Sequence, residues 1–290
     1  MKKTVVVFFL FLIVLGSRAQ QNRFKEKKQV YKEVDGHSLE MVMYIPDISP
    51  GIKLPALVFF FGGGWVSGDP SHFELQAKYL ATRGIVVVCP DYRTKNRHNT
   101  TPFESVKDAR SAMRFLKTNG ADFGIDTSRI VAAGGSAGGH LAACTAIISD
   151  VDEETDNLDV SPKPFALVLF NPVVDTGKKG YGQEKLDGRE FEISPVHHIK
   201  AGLPPVLIMH GKADTTVPYE NVVRFKHVMK QEGNECILKG YAKQKHGFFN
   251  YKTSPKYFEK TLRKTEIFLE KYELLKGEPW INEYCKALKQ

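Results

Sequence analysis

Short apolar runs alternate along this chain with longer segments in which apolar residues recur at helical spacing. A continuous apolar run of strand length predicts a β-strand that is buried on both faces. Helical spacing is clear in Pro102–Asn119 and Tyr219–Gln231, and we also expect helices at 72–82, 141–148 and 254–275. The apolar runs that predict buried strands are 54–61, 85–89, 129–133, 164–170, 204–209 and 235–239.

Two β-prone runs, 29–34 and 39–45, precede this alternation and are separated by Asp35 and Gly36. An Asp-Gly pair between two strands is a strong signal for a tight hairpin turn. With the six later runs, the hairpin gives an expected total of eight strands. We therefore predict an α/β fold with a mostly parallel eight-stranded sheet, an antiparallel start and helices on both faces.

The segments between these elements are polar or irregular. We expect a polar loop at 90–101, an acidic surface loop at 150–159 and a turn capped by Asp126 and Thr127. The connection at 171–200 is long and irregular, and long loops often bind substrate or cover a site. We therefore expect this loop to take part in substrate selection.

The length of 290 residues suits one large α/β domain, and no composition shift marks a boundary within 20–290. The net charge is +8, and Lys2, Lys3 and Arg18 contribute three of these charges. The remaining basic residues are interleaved with acids, whereas nucleic-acid-binding proteins concentrate theirs on one face. We predict a single catalytic domain with no nucleic-acid partner.

The first residues have the layout of a secretory signal peptide. Lys2 and Lys3 precede an apolar run at 5–15, and Ser17, Arg18 and Ala19 fit a small-x-small cleavage site. The run is too short to span a bilayer comfortably. We expect residues 1–19 to be removed and 20–290 to be secreted or periplasmic, without stable membrane insertion. An uncleaved N-terminal anchor is the alternative.

Cysteine and histidine spacing gives no sign of a bound metal. The adjacent His197 and His198 project apart, and no C-x-x-C motif occurs. We expect neither a metal nor a cofactor. Three disulfide pairings are open to the four cysteines, which are Cys89, Cys144, Cys236 and Cys285. The first two lie in apolar segments, and we expect them to be buried.

The candidate chemistry centres on a glycine-flanked serine between a predicted strand and a predicted helix. Gly134, Ser136 and Gly138 form the pattern G-x-S-x-G. In a nucleophile elbow, the sharp turn exposes the serine hydroxyl, and the glycines let the strand and the helix approach closely. The helix N-terminus behind the serine offers N–H groups where an oxyanion would develop.

A serine nucleophile needs a base, and the base needs an orienting carboxylate. Asp214 follows the predicted strand at 204–209, and His246 follows the one at 235–239. Singly, each is more often a turn or structural residue. Their strand-end positions and their order after Ser136 favour the catalytic interpretation. The competing histidines are His140, His197, His198 and His210, and we expect His140 to be structural.

An oxyanion hole needs backbone N–H groups that point at developing negative charge. Ala137 follows the nucleophile directly, and Gly63 and Gly64 follow the strand at 54–61. Glycines allow the backbone to approach a substrate closely. We assign Gly63, Gly64 and Ala137 to the oxyanion hole, and Gly62 and Trp65 to substrate binding.

Together these segments resemble the α/β-hydrolase superfamily, in particular the carboxylesterase branch close to the hormone-sensitive lipase group. The chain is also similar to secreted bacterial carbohydrate esterases of the acetyl xylan and feruloyl types. The resemblance spans about residues 30–270 and rests on motifs at 61–65, 91–93, 134–139, 210–218 and 246–247.

The resemblance implies that Ser136 is the nucleophile, His246 the base and Asp214 the orienting acid. The lipase-like members have a large N-terminal helical cap, whereas strand signals begin here soon after residue 19, so we expect a small cap or none. Phe61 departs from the family pattern, because many relatives have a histidine before the three glycines. That departure puts the anchoring of the glycine loop in question.

We therefore expect a secreted serine esterase that removes short acyl groups, acetyl first, from small-molecule or polysaccharide esters. Two alternatives stay open. One is a serine exopeptidase of the prolyl oligopeptidase type, which shares the triad. The other is a non-catalytic binding protein on the same scaffold, which Phe61 suggests. The sequence leaves the oligomeric state open.

Overall fold

A computed structural model of the protein describes residues 24–47, 49 and 51–289. Its centre is one eight-stranded sheet with the strand order β1-β2-β4-β3-β5-β6-β7-β8. The predicted signal peptide at 1–19 lies outside the described residues. The strands are β1 Phe24–Val34, β2 His37–Pro46, β3 Leu54–Phe60, β4 Val86–Pro90, β5 Ile125–Gly135, β6 Ala166–Phe170, β7 Val206–Gly211 and β8 Cys236–Tyr241.

The predicted fold class is confirmed. β2 pairs antiparallel with both β1 and β4, and the pairs from β4 through β3, β5, β6 and β7 to β8 are all parallel. The hairpin turn falls at Asp35 and Gly36, both with positive φ. Parallel strands need crossover connections, and α-helices supply them here except between β6 and β7, where a long loop with two short 3₁₀ turns makes the crossover.

The helices form two layers. They are α1 Glu74–Thr82, α2 Lys95–His98, α3 Pro102–Asn119, α4 Ala137–Ile147, α5 Tyr219–Gln231, α6 Pro255–Lys271 and α7 Ile281–Ala287. Buried side chains of α3, α4 and α5 share one core layer. Those of α1, α6 and α7 share the other. The sheet is therefore covered on both faces, as continuous apolar strands require.

Helix α3 shows why its predicted bounds are correct. Thr101 accepts a hydrogen bond from the Phe103 N–H, and the Glu104 side chain accepts one from the Thr101 N–H. This capping box, with Pro102 at the first helical position, gives the helix a sharp start. The predicted bounds of α5 are also confirmed.

Two local predictions are wrong. The segment at 90–101 is not wholly a loop, because it contains the short helix α2, whose C-cap residue Asn99 has a φ of 53°. Asp126 Oδ1 accepts from the Ser128 N–H at 3.1 Å, but this bond lies within β5, which already begins at Ile125, and not in a turn before the strand.

The acidic segment at 150–159 is not simply a solvated surface loop. Asp152 pairs with Arg110 at 2.6 Å and with Arg114 at 2.7 Å, and both arginine side chains are nearly buried. Burial pushes the pKa of Asp152 up, but hydrogen bonds and charge from these arginines outweigh it and hold that pKa below its usual value. The segment is therefore fixed to α3 by ion pairs.

A second, deeper ion cluster joins β1, α3 and the segment after β4. Asp108 is fully buried and accepts hydrogen bonds from Lys32 Nζ at 2.7 Å and from Arg93 Nη2 at 2.9 Å. Glu153 Oε2 lies 2.8 Å from Lys32 Nζ and 2.6 Å from Arg93 Nη2. Two buried cations thus share two carboxylates, and neither cation is left without a partner.

All four cysteines are free and buried, so none of the three open pairings occurs. Burial raises the pKa of each thiol, to about 12 for Cys236 and about 11 for Cys285. The expected burial of Cys89 and Cys144 is confirmed. Among the described residues, no helix combines the length and the apolar character needed to cross a bilayer.

The Asp108 cluster generates a stability prediction. Asp108→Asn keeps the shape of the side chain but removes the charge that faces Lys32 and Arg93. We expect a loss of about 3 kcal/mol in the free energy of unfolding, because breaking a buried pair strands its partner charges. Urea unfolding at pH 7 measures this. Asp126→Asn is the matched control, because Asp126 pairs with Arg129 near the surface, and its loss should stay below about 1 kcal/mol. Equal losses in the two variants would contradict the role assigned to Asp108.

Candidate active site

Ser136 occupies the turn between β5 and α4 with φ 56° and ψ −121°. A non-glycine residue in this region is strained and needs support from its surroundings. The Ser136 N–H donates to the Phe170 carbonyl at 2.9 Å. Its own carbonyl accepts from the N–H groups of His140 at 3.0 Å and Val173 at 3.2 Å. The serine backbone is therefore held by β6, by α4 and by the chain just after β6.

The flanking glycines allow this turn to form. A Cβ on Gly134 would lie 2.3 Å from the Gly138 carbonyl oxygen. A Cβ on Gly138 would lie 2.1 Å from the Phe60 carbonyl oxygen. Both separations are far below contact distance, so β3, β5 and the first turn of α4 can meet only if both residues lack a side chain.

Ser136, His246 and Asp214 form a continuous hydrogen-bonded row. His246 Nε2 lies 2.9 Å from Ser136 Oγ, and His246 Nδ1 lies 2.7 Å from Asp214 Oδ2. Asp214 follows β7 and His246 follows β8, so the three residues come from the carboxyl ends of parallel strands. With the proton on Nδ1 directed at Asp214, Nε2 is free to accept the serine proton.

The Asp214 carboxylate is buried and well supplied with donors. Its Oδ1 accepts from the N–H groups of Thr216 at 2.9 Å and Val217 at 3.0 Å. Its Oδ2 also lies 3.2 Å from His210 Nε2. Burial acts to raise the pKa of Asp214, but hydrogen bonds from His210, His246 and the Val217 backbone outweigh it and hold that pKa far below its usual value. The group is therefore a fixed anion.

The glycines expected to form the oxyanion hole border the same cleft as Ser136. Gly63 has a φ of 131° and Gly64 a φ of 64°. A Cβ on Gly63 would meet the Ser67 carbonyl oxygen at 2.0 Å, so this position requires glycine. Ala137 is the first residue of α4, where backbone N–H groups have no partner within the helix.

The cleft above Ser136 encloses about 270 Å³. The loop at 171–200 contributes Asn171 and Tyr181 to its wall. A larger cavity of about 460 Å³ lies beside the start of β3, but its lining includes no serine, cysteine or histidine. The cleft is also lined by Gly62, Gly63, Gly64, His72, Ser136, Thr216, His246, Gly247, Phe249 and Asn250.

Trp65, which we expected to bind substrate, is not among the residues that line this cleft. It has a φ of 61°, and only 2% of the residue is exposed. The ring packs edge-on against His140 and at a tilt against Tyr181. Trp65 therefore packs against Tyr181, and Tyr181 is the residue of this pair that lines the cleft.

Two protein-family models match this chain. The model described as BD-FAE matches residues 41–178, and that of the dienelactone hydrolase family matches 170–273. The structure of Thermogutta terrifontis esterase 2 is 41% identical, with a TM-score of 0.83, and covers 87% of this chain and 97% of that one. The chain belongs to the α/β-hydrolase superfamily, in its carboxylic ester hydrolase branch.

Curated relatives of this hydrolase are more distant. A probable isoprenylcysteine alpha-carbonyl methylesterase of Oryza sativa subsp. japonica is 30% identical over 75% of this chain and 56% of its own length. An acetylxylan esterase of Xylanibacter ruminicola is 26% identical over 91% of this chain and 54% of its own length. The chain thus spans about half the length of the curated relatives it matches.

Phe61 fixes the start of the glycine loop in this hydrolase through contacts with Tyr92. The Phe61 ring stacks on Tyr92 with centroids 3.9 Å apart. The Tyr92 hydroxyl donates to the Phe61 carbonyl at 2.9 Å. Both contacts are buried, so an apolar stack and one hydrogen bond fix the start of the loop.

Several residues of the hydrolase site were not predicted from the sequence. Asn171 places its amide nitrogen 3.3 Å from His246 Nδ1, and His72 borders the cleft. His210 was considered only as a rival base. The position of Asn171 directly after a predicted strand could have signalled its role. His72 carries no such signal, because its partner Asn250 lies 178 positions away in the sequence.

The competing histidines have structural partners. His140 is fully buried beside the Ile193 carbonyl, with its Nε2 2.7 Å from that oxygen, and burial lowers its pKa to about 4. His197 bonds to Ser194, and His198 to the carbonyl of Phe191. His140, His197 and His198 therefore each bond to a residue of the 191–194 segment and not to Ser136.

The packing at Gly138 generates the next prediction. In Gly138→Ala, the new methyl group meets the Phe60 carbonyl, which is backbone and cannot move aside. We expect a loss of about 3 kcal/mol in unfolding free energy and a drop in kcat for ester hydrolysis of about 100-fold, because Ser136 shifts. Thermal unfolding and initial rates measure these effects. Gly233→Ala is the control, because its φ is 74° but its Cβ would meet nothing within 4 Å. We expect it to cost roughly 1 kcal/mol and to leave kcat unchanged. A kcat that survives Gly138→Ala would refute the steric argument.

Proposed function

We propose that this hydrolase is a serine esterase that acts through Ser136, His246 and Asp214. The observation that carries the proposal is the row of hydrogen bonds from Ser136 Oγ to His246, 2.9 Å, and from His246 to Asp214, 2.7 Å. A serine hydroxyl with an adjacent imidazole and an orienting carboxylate is the arrangement that acyl transfer needs. It weighs against a binding protein without catalytic activity.

In the proposed mechanism, Ser136 Oγ attacks the ester carbonyl carbon while His246 Nε2 accepts the serine proton. The carbonyl oxygen becomes an oxyanion, and the N–H groups of Gly63, Gly64 and Ala137 stabilise it. The alcohol leaves with the proton from His246. Water, activated by His246, then attacks the acyl-enzyme and releases the acid. Asp214 stays ionised throughout and stabilises the transient imidazolium.

The acyl group is proposed to be short, with acetyl first. A cleft of about 270 Å³ lies just below the usual size range of small-molecule sites, which begins at about 300 Å³. Structures of Thermogutta terrifontis esterase 2 carry propionate and butyrate, which supports short acyl groups here. Other structures of that esterase are phosphorylated by paraoxon or phosphonylated by sarin, which supports a reactive serine in this chain.

The alcohol portion is proposed to be a carbohydrate, as a small-molecule or polysaccharide ester. The similarity to an acetylxylan esterase over 91% of this chain supports this. So does the signal-peptide layout of residues 1–19, which would bring the enzyme to extracellular or periplasmic substrates. Tyr181 and its neighbour Lys185, whose Nζ lies 3.1 Å from the Tyr181 hydroxyl, offer polar groups beside Gly64 for a sugar hydroxyl.

The first test is a comparison of initial rates on 4-nitrophenyl acetate, butyrate and octanoate, beside acetate release from acetylated xylan. We expect the rate to fall steeply with acyl length and xylan to release acetate. Ser136→Ala should retain less than about a thousandth of the wild-type rate, because it removes the nucleophile. Hydrolysis of the nitrophenyl esters without acetate release from xylan would support the proposed mechanism but contradict a polysaccharide substrate. Turnover of aminoacyl anilides but not of esters would favour the exopeptidase alternative.

The second test concerns the orienting carboxylate. Asp214→Asn keeps the side-chain shape but no longer holds the His246 proton on Nδ1. We expect kcat to fall about 10⁴-fold with little change in KM. Steady-state kinetics on 4-nitrophenyl acetate measure this, and Asp126→Asn controls for the loss of a carboxylate elsewhere. An Asp214→Asn enzyme within about tenfold of the wild-type kcat would remove Asp214 from the mechanism, since that loss is far below the value for a triad acid.

A further inference from the structure

The backbone of the glycine loop, residues 62–64, makes one hydrogen bond to a side chain among the residues that the structure describes. The Gly62 N–H donates to Nδ1 of His72 at 2.9 Å. The Gly63 carbonyl accepts from the N–H groups of Val66 at 3.0 Å and Ser67 at 3.2 Å, which only closes the local turn. His72 is therefore the side chain that ties this loop to a second element.

The His72 ring is held in place from several sides. It lies on a short 3₁₀ turn, Pro70–Phe73, whose start is capped because Asp69 Oδ1 accepts from the Ser71 N–H at 2.8 Å. The ring packs against Phe73 at 4.7 Å and Phe249 at 5.9 Å between centroids. Its position is thus set by the turn and by two core aromatics.

The second ring nitrogen of His72 reaches the loop that follows His246. His72 Nε2 lies 3.0 Å from Oδ1 of Asn250. Asn250 Nδ2 donates to the Gly247 carbonyl at 3.1 Å, so the amide oxygen is the atom that faces His72. Since Nδ1 accepts from Gly62, the proton is on Nε2 and the imidazole is neutral.

Asn250 is also the hub of the turn after His246. Its N–H donates to the Gly247 carbonyl at 3.0 Å, and its carbonyl accepts from Thr253 at 3.0 Å and Ser254 at 2.9 Å. A shift of Asn250 would therefore move the turn that begins beside His246. His72 and Asn250 together, which we call the His72 bridge, link two loops that carry different parts of the site.

We propose that His72 is a positioning residue whose neutral imidazole holds the glycine loop and the His246 loop at a fixed separation. The inference rests on the proposed esterase function. Oxyanion donors accelerate acyl transfer only when they are already placed around the developing charge. The bridge makes the N–H groups of Gly63 and Gly64 and the base His246 parts of one rigid frame above Ser136.

The bridge requires an uncharged ring. A protonated His72 would carry N–H at both nitrogens, so Nδ1 would face the Gly62 N–H as a second donor. Burial has the largest influence and holds the pKa of His72 below its usual value. The hydrogen bond with Asn250 and the charge of Asp69 act to raise this pKa, and the charge of His246 acts to lower it. The ring's other neighbours, Phe73 and Phe249, do not titrate. The bridge is therefore intact at neutral pH and breaks as pH falls through the pKa of His72.

Two substitutions at His72 separate positioning from bulk. His72→Leu removes the acceptor for Gly62, whereas the Oδ1 of His72→Asn takes the place of Nδ1 and can still accept. With 4-nitrophenyl acetate, we expect His72→Leu to lower kcat about 100-fold, with KM changed less than about threefold. The kcat of His72→Asn should be about tenfold higher than that of His72→Leu, because the asparagine oxygen restores the bond to Gly62.

Asn250→Asp gives a readout that does not depend on His72→Leu being folded. A carboxylate facing Nε2–H favours the charged imidazolium and raises the pKa of His72. The Gly62 amide resonance in NMR, which reports the bond to Nδ1, should therefore change at a pH about one unit higher than in the wild type, together with the His72 ring resonances. A Gly62 resonance that does not follow the titration of His72 would overturn the proposal.

His98→Leu is the matched control, because His98 Nδ1 also accepts from a backbone N–H, that of Thr94, at 3.0 Å. We expect this variant to keep the wild-type kcat, and thermal unfolding of each variant shows that it is folded. Equal losses of kcat in folded His72→Leu and His98→Leu, or no recovery in His72→Asn, would overturn the positioning role. Turnover that survives Ser136→Ala would instead overturn the proposed function, and this inference with it.

Discussion

The close approach of β3, β5 and α4 at Gly134 and Gly138 is the constraint on which the candidate site depends. Neither glycine tolerates a Cβ, because backbone carbonyls occupy the space it would fill. That approach forces Ser136 into a strained conformation, with hydrogen bonds from neighbouring backbone holding it there. Sheet packing over the whole domain therefore stabilises a single sharp turn, and the hydroxyl it carries projects above the sheet edge.

The other parts of the site come from independent elements that the parallel sheet brings to the same edge. Asp214 follows β7, His246 follows β8 and the glycine loop follows β3. Each loop is then fixed by contacts of its own: backbone N–H groups around Asp214, the aromatic stack at Phe61 and the His72 bridge. The chemistry thus relies on loops whose conformations are determined before a substrate arrives.

The sequence predicted the sheet and the positions of Ser136, Asp214 and His246 because each depends on local pattern. Apolar runs give the strands, and the three side chains stand at strand ends or between glycines. His72 and Asn250 lie 178 positions apart, so no local pattern signals that they meet. The cluster around Asp108 was hidden for the same reason. The burial of Trp65 against His140 and Tyr181 likewise depends on residues that are distant in the sequence.

The four buried thiols described above have a consequence for how this protein tolerates oxidants. Thiolate is the reactive form of cysteine, and burial keeps all four groups protonated in the folded state. The native fold contains no covalent cross-link for a reductant to cleave. Each cysteine becomes reactive only when the element that buries it opens, so the rate at which a thiol reagent labels it measures that opening, in the terminal helix α7 for Cys285 and in the sheet for Cys89.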